Sequence, residues 1–143
     1  MTIGKLIANR NGEIWSCHAD DSVASAVNTL ATQRIGALPV FDGQEHVAGI
    51  FSERDVLYCL HTRGPAMLDL AVRDVMTAPV VNIHPDTKID EALSLMTRRR
   101  IRHLPVEHHG KCIGFVSIGD LVKYRVDKIQ AEAEAMRSYI QTA

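Results

Sequence analysis

The segment GIFSERD, residues 49–55, marks the point where a strand passes into a helix. An apolar run ends at Phe51, and apolar residues recur at helical spacing after Asp55. Ser52, followed three residues later by Asp55, is close to the capping-box pattern that begins many helices. The pattern predicts that Ser52 caps the helix. It leaves open whether the hydroxyl and the carboxylate also hold a ligand.

A second copy of this segment indicates that the chain contains an internal repeat. The segment GFVSIGD, residues 114–120, keeps the glycine, the serine and the aspartate at the same positions. Further upstream, HADDSVASAVNTLATQRIGALPV (18–40) aligns with HPDTKIDEALSLMTRRRIRHLPV (84–106), and both end in Leu-Pro-Val. Capping alone requires neither the glycine nor the Leu-Pro-Val, so the duplication favours a further role for the motif.

Each half is predicted to fold as strand, helix, strand, strand, helix. In the second half, a helix is predicted to begin at Thr87 and Asp90 and to run to about Arg99. Gly110 suits a tight hairpin turn. The segment FDGQEH, residues 41–46, is the corresponding turn of the first half. A half of about 60 residues is marginally stable alone, so we expect the halves to pack together. The strands predicted for the second half are 80–83, 104–107 and 112–117.

Composition excludes several classes of protein. The 143 residues are 46% hydrophobic, which is enough for a buried core, and the net charge of −1 lacks the basic character of most nucleic-acid binders. The N-terminus has no apolar core of signal-peptide length, and no segment approaches the roughly 18 apolar residues of a membrane helix. The three cysteines form no C-x-x-C motif. We therefore expect a cytoplasmic protein that binds neither nucleic acid nor membrane.

The doubled pattern resembles a tandem pair of CBS (cystathionine β-synthase) domains, the Bateman module, over roughly residues 3–126. The resemblance implies an α+β fold in which two β-α-β-β-α repeats pack as a pseudo-twofold module, followed here by a long C-terminal helix. The expected domain organisation is repeat 1 at 1–63, a linker at 64–71, repeat 2 at 72–126 and a C-terminal helical extension at 127–143.

The resemblance also implies two ligand clefts between the repeats. Family members bind AMP, ATP, NAD-type ligands or S-adenosylmethionine, with the Ser-x-x-Asp segment at the ribose. A carboxylate suits this role because charge-assisted hydrogen bonds contribute about 1.5–3 kcal/mol each. The residues expected in the first cleft are Ser52, Arg54, Asp55, Arg102 and His103. Those expected in the second are Ser117, Asp120, Thr77, Val80 and Ile83.

Charge separates the two expected clefts. Arg102 and His103 precede Leu-Pro in the second repeat, where the first repeat has Gly36 and Ala37. In similar proteins such residues face phosphates whose ribose the other repeat holds. We therefore expect the first cleft to be the more cationic and the better nucleotide site, and the second to be weaker, empty or selective for a less charged ligand.

The expected function is a regulatory or energy-sensing module that binds an adenosine-containing nucleotide and signals to an unidentified partner protein. The alternative is a constitutive dimerisation or scaffold module with unoccupied clefts. No recognised nucleophile motif or set of metal ligands is present, so we expect no enzymatic activity, no metal and no required cofactor. Trp15, the only tryptophan, is expected to fill a core or an interface edge.

The C-terminal segment has a stripe of apolar residues with heptad-like spacing. The stripe either packs on the module itself or forms a dimer contact, and the sequence leaves both interpretations open. We expect a homodimer, whose parallel or antiparallel direction the pattern does not set. The stripe consists of Val122, Val126, Ile129, Ala133, Met136 and Ile140.

Overall fold

The structure, a computed structural model, describes residues 1–10, 14–43 and 46–142. The chain has the predicted α+β architecture with a long C-terminal helix. The elements of the first half are α1 (Ile3–Ala8), β1 (Cys17–His18), α2 (Val23–Gln33), β2 (Ala37–Phe41), β3 (Val47–Ser52) and α3 (Glu53–Arg63). The elements that follow are two short 3-10 helices (Gly64–Asp69 and Val72–Asp74), α4 (Ile89–Arg99), β4 (His103–His108), β5 (Lys111–Ser117) and α5 (Ile118–Thr142).

Two small sheets repeat the same hairpin. In the first sheet β2 lies between β1, to which it is parallel, and β3, to which it is antiparallel. In the second sheet β4 pairs with β5 in the corresponding register. The predicted hairpin turn at Gly110 is confirmed, because His109 and Gly110 both have positive φ, as a tight two-residue turn requires. In the corresponding turn of the first half, Gln44 and Glu45 lie outside the described residues.

The strand predicted at 80–83 is wrong. Only Ile83 pairs there, through a parallel bridge to Val106. The Ile83 N–H donates to the Pro105 carbonyl at 2.9 Å, and its carbonyl accepts from Glu107 N–H at 2.8 Å. The residues just before Ile83 line a cleft instead of extending the pairing.

The predicted start of α4 is also wrong in detail. Lys88, rather than Thr87, occupies the N-cap position. The Thr87 carbonyl accepts from the Ile3 N–H at 2.8 Å. The Asp90 carboxylate accepts from Arg125 of α5 at 2.8 Å. Thr87 and Asp90 thus connect α4 to other elements of the fold, and the helix still ends at Arg99 as predicted.

Each half has its own apolar core, and each core is completed by residues from outside its own predicted repeat. The first core is built on α2, β2 and β3 and is completed by Met67 and Val72, which follow α3. The second core is built on α4, β4, β5 and the start of α5, and is completed by Ile3 of α1. All three of these added side chains are almost fully buried.

Helix α5 starts in the second core and then leaves it. Leu121 is fully buried, whereas Ile129, Met136 and Ile140 are 55–66% exposed. The interpretation that the tail packs on its own module is therefore wrong for these residues. Across the described ranges, none of the helices combines the length and the apolar character that crossing a membrane requires.

Candidate functional site

Both Ser-x-x-Asp segments form capping boxes. The Ser52 N–H donates to Asp55 Oδ2 at 2.8 Å, and the Asp55 N–H donates to Ser52 Oγ at 3.5 Å. The corresponding distances for Ser117 and Asp120 are 2.7 and 3.2 Å. The predicted cap is thus confirmed in both halves. It holds each carboxylate at a helix N-terminus, where the helix dipole favours negative charge.

The first cleft, here called the Ser52 cleft, lies where the β3–α3 junction meets the segment between α4 and β4. Its cavity volume is about 360 Å³. The first half contributes Ser52, Glu53 and Arg54 to its lining. The second half contributes a basic group that consists of Arg100, Arg102 and His103.

The second cleft, here called the Ser117 cleft, is the pseudo-symmetric counterpart, with a cavity volume of about 790 Å³. Ser117 and Asp120 line it from the start of α5. The segment between α2 and β2 contributes Arg34, and the N-terminal region contributes Arg10 and Trp15. Trp15 is 46% exposed, so this indole lines a cleft rather than filling a core.

Gly36 and His103 line both clefts and so form their common wall. The His103 ring stacks on Phe115, with centroids 5.4 Å apart and the planes 14° from parallel. The pKa of His103 is lowered, mainly because the ring is buried. The negative charges of Asp120 and Glu53 oppose this shift, and the positive charge of Arg102 adds to it. The imidazole is therefore neutral at pH 7.

The two motif carboxylates have different partners. Asp55 accepts from Ser52 through Oδ2 and from the Thr77 hydroxyl through Oδ1 at 2.8 Å, and it does not line the Ser52 cavity. Asp120 lines its cavity and accepts from Arg10 Nη2 through Oδ2 at 2.5 Å. Burial alone would raise the pKa of Asp120, but hydrogen bonds from Ser117 and Arg10 and the Arg10 charge lower it overall. Asp120 is thus ionised at neutral pH.

Comparison with known proteins identifies the fold family. The family model described as "CBS domain" matches residues 7–62 and again residues 72–127. The chain belongs to the CBS domain family. It is 38% identical over 132 residues to the mitochondrial CBS domain-containing protein CBSX3 of Arabidopsis thaliana, covering 90% of this chain and 64% of that protein. It therefore spans just under two thirds of that relative's length.

Solved structures show the same CBS pair fold. A CBS-domain containing protein from Agrobacterium tumefaciens is 35% identical, with a TM-score of 0.81, over 87% of this chain and 92% of that one. CBSX2, solved in complex with AMP, is 24% identical, with a TM-score of 0.72, over 88% and 96% of the two chains. At that lower identity the likeness concerns the fold alone.

Within the CBS pair, three residues expected beside Ser117 lie elsewhere. Thr77 and Val80 line the Ser52 cleft. They lie there because Thr77 pairs with Ile50 of β3, through two backbone hydrogen bonds of 2.8 and 2.9 Å, and so extends the first sheet. Ile83 is 7% exposed, belongs to the second core and lines neither of the two clefts. The expected residues Ser52, Arg54, Arg102 and His103 do line one cavity.

Two arginines at matching positions of the CBS repeats were missed by the sequence reasoning. Arg34 follows α2 and Arg100 follows α4, and both adopt left-handed backbone conformations with φ of 54°. Each lines the cleft that carries the other half's serine. The repeat alignment contained this signal, since the two arginines occupy equivalent places. The Ser117 cleft therefore has arginines of its own, Arg10 and Arg34, although the Ser52 cleft, lined by Arg54, Arg100 and Arg102, remains the more cationic of the two.

A histidine pair outside the clefts brings two potential metal ligands together. His84 Nε2 and His108 Nδ1 are 3.3 Å apart on an exposed surface. Among residues 1–10, 14–43 and 46–142, no three His, Cys, Asp or Glu side chains come together as metal ligands. A structural zinc site normally has four ligands.

Proposed function

We propose that this CBS pair is a regulatory module that binds an adenosine-containing nucleotide in the Ser117 cleft and passes its binding state to a partner protein. The observation that carries the proposal is the combination of Asp120, Arg10, Arg34 and Trp15 around one cavity. An ionised carboxylate accepts from ribose hydroxyls, guanidinium groups pair with phosphates, and an indole offers a flat apolar face to a base. CBSX2, which shares this fold, was solved in complex with AMP, a ligand of this class.

The Ser117 cleft is preferred over the Ser52 cleft, which reverses the expectation from sequence. Its cavity is about 790 Å³ against about 360 Å³. Its motif carboxylate lines the cavity, whereas both oxygens of Asp55 already accept from Ser52 and Thr77. A ribose at Asp55 would have to compete with the Thr77 hydroxyl. We therefore propose that the Ser52 cleft is a second site with weaker affinity for the nucleotide.

Tryptophan fluorescence tests the site directly, because Trp15 is the only tryptophan and lines the Ser117 cleft. Titration with AMP, ATP, NADH or S-adenosylmethionine should give a saturable fluorescence change for at least one ligand. The same ligand at 100 times its dissociation constant should stabilise the fold by about 2.7 kcal/mol in a thermal shift assay. If none of the four changes either signal, the proposed nucleotide function fails.

A pair of matched variants separates ligand binding from capping. Asp120→Asn and Asp55→Asn each alter a capping box, so each should cost about 1 kcal/mol of folding stability or less. Asp120→Asn should in addition weaken nucleotide binding by about tenfold or more, because a neutral amide accepts through one oxygen only. Calorimetric titration checks this. A larger loss from Asp55→Asn would move the main site to the Ser52 cleft.

The module is also proposed to form a homodimer. Leu57 and Tyr58 of α3 are 63% and 65% exposed, and the apolar stripe of α5 is exposed as well. Large apolar groups clustered on a surface mark interaction sites. Light scattering should report a dimer at micromolar concentration, and a monomer would contradict the proposal. A dimer that binds none of the four ligands would instead indicate a scaffold role.

A further inference from the structure

The exposed stripe of α5 has no covering element in the described part of the chain. Ile129, Met136 and Ile140 point away from both cores, although α5 remains a continuous helix to Thr142. We propose that this stripe pairs with the stripe of a second copy of the chain as a parallel, in-register two-stranded coiled coil. The inference rests on the proposed homodimer and deepens it by assigning the contact and its direction.

The spacing of the stripe defines the heptad positions. Val126, Ala133 and Ile140 occupy a positions, and the alternating apolar residues between them occupy d positions. Glu132 then lies at g and Arg137 at e. In a parallel pair each g residue contacts the e residue five positions further along the other helix. The Glu132 carboxylate therefore faces the second copy's Arg137. Because the dimer has twofold symmetry, this ion pair occurs twice.

The antiparallel alternative places like charges together. In an antiparallel pair the apolar residues of the two helices come into register when Val126 faces the second copy's Met136. In that register each g position lies beside a g position of the second copy, and each e position lies beside an e position. Glu132 faces the second copy's Glu132, and Lys123 faces the second copy's Arg137. Like charges at every charged flanking contact disfavour this direction, which leaves the parallel one.

The helix is held in place before it pairs. Leu121 is fully buried in the second core, and Arg125 donates to Asp90 of α4 at 2.8 Å. A helix that is already ordered loses less conformational freedom on association. The stripe spans fewer than three heptads, which is short for a free-standing coiled coil, so the pairing belongs to the whole chain and is tested there.

Charge reversal at Arg137 distinguishes the two directions by the sign of its effect. In the parallel pair, Arg137→Glu places carboxylates against Glu132 and should raise the dimer dissociation constant by about three- to tenfold. The double variant Glu132→Arg with Arg137→Glu should restore the wild-type value. In an antiparallel pair, Arg137→Glu would instead face Lys123 and tighten the dimer. Sedimentation velocity over a concentration series measures the constant.

Cysteine cross-linking provides a second readout with a matched control. Ala133→Cys puts a thiol at an a position, where the two copies meet in the parallel pair, and mild oxidation should give a covalent dimer. Ala131→Cys puts the same thiol on the outer face of α5 and should not cross-link. The wild-type protein under the same oxidant reports any linkage through Cys17, Cys59 or Cys112.

The outcomes separate this inference from the proposal on which it rests. A monomeric wild-type protein overturns both. A wild-type dimer that neither weakens with Arg137→Glu nor cross-links through Ala133→Cys keeps the homodimer and overturns the α5 pairing. A tighter dimer with Arg137→Glu overturns the parallel direction.

Discussion

Arg10 Nη2 donates to Asp120 Oδ2 at 2.5 Å in the Ser117 cleft, and Nη1 of the same guanidinium donates to the Phe115 carbonyl of β5 at 3.1 Å. In the other half the equivalent aspartate accepts from a neutral threonine hydroxyl. Two carboxylates that the repeat makes equivalent in sequence thus have different electrostatic surroundings. Of the two clefts, as far as the described residues go, only the Ser117 cleft pairs its motif aspartate with a cation.

Removing the Arg10 charge should raise the pKa of Asp120. Arg10→Gln deletes a hydrogen-bonding cation from a carboxyl whose pKa is now below its usual value. The effect on stability should stay within about 1 kcal/mol near pH 7, since both side chains are over one-third exposed and solvent screens the pair. NMR titration of the Asp120 carboxyl carbon measures the shift.

The control for this titration is Arg125→Gln, which breaks the bond to Asp90 and leaves the Asp120 site intact. A carboxyl group whose pKa is lowered in the folded state stabilises the fold at pH values above its ordinary pKa. This contribution is lost as the pH falls through the lowered pKa. The Arg10→Gln variant should therefore lose the Asp120 contribution at a higher pH than wild type. An unchanged Asp120 pKa would mean that the bonds from Ser117 alone set it.

Arg100→Asn should keep the fold and weaken binding in the Ser52 cleft. Asparagine tolerates the left-handed conformation with which Arg100 ends α4, so the melting temperature should be unchanged or slightly higher. Loss of the guanidinium should reduce affinity for a phosphate-bearing ligand by about tenfold at that cleft. Arg99→Asn is the matched control because Arg99 lines neither of the two clefts. Equal losses from both variants would indicate a general charge effect.

The stability of the protein should depend on the ionisation of His103 as the pH falls below about 6.5. Burial lowers the pKa of His103, so the unfolded chain binds this proton at a higher pH than the folded chain does. The contribution of the neutral His103 ring to stability is complete at pH values above the ordinary pKa of 6.5. It is lost as the pH falls from there towards the lowered pKa of the folded state. His103→Gln should therefore show a shallower loss of stability on acidification than wild type.

Urea unfolding at several pH values measures the His103 contribution as a difference between the two proteins. The chain contains seven histidines, so the wild-type curve alone is not diagnostic of His103. His61→Gln, on the exposed surface of α3, is the control for removing a histidine as such. Parallel curves for wild type and His103→Gln would refute the predicted linkage.

The motif glycines should differ in their tolerance of alanine. A Cβ at Gly49 would lie 2.5 Å from Met76 Sδ and 3.0 Å from the Thr77 carbonyl oxygen. At Gly114 the three nearest atoms would all belong to the Ile7 side chain, the closest at 2.9 Å. Gly49→Ala should therefore cost about 1–3 kcal/mol of stability, typical of overpacking, and Gly114→Ala less. Denaturant midpoints check the order, and a reversed order would refute it.

Local patterns predicted most of the elements but not the clefts in full. The capping boxes and the hairpin at Gly110 depend on neighbouring residues, so the sequence contains them. The placement of Thr77 depends on how one half docks against β3, and no local pattern encodes that docking. Arg10 was missed for the same reason. Val80 and Val81 have strand-like composition, yet they line a cleft, so tertiary context overrode propensity.

The shared cores have a consequence for how the chain must fold as it is made. Ile3 is among the first residues synthesised, but its core is complete only when Leu121 has been added. The first core closes once Val72 is available, whereas Ile3 of α1 must wait for most of the chain to follow, up to Leu121. The unit that was duplicated is therefore not the unit that folds. A cut between Arg63 and Val72 would separate Val72 from the first core and Ile3 from the second, so the two halves should unfold together as one cooperative transition.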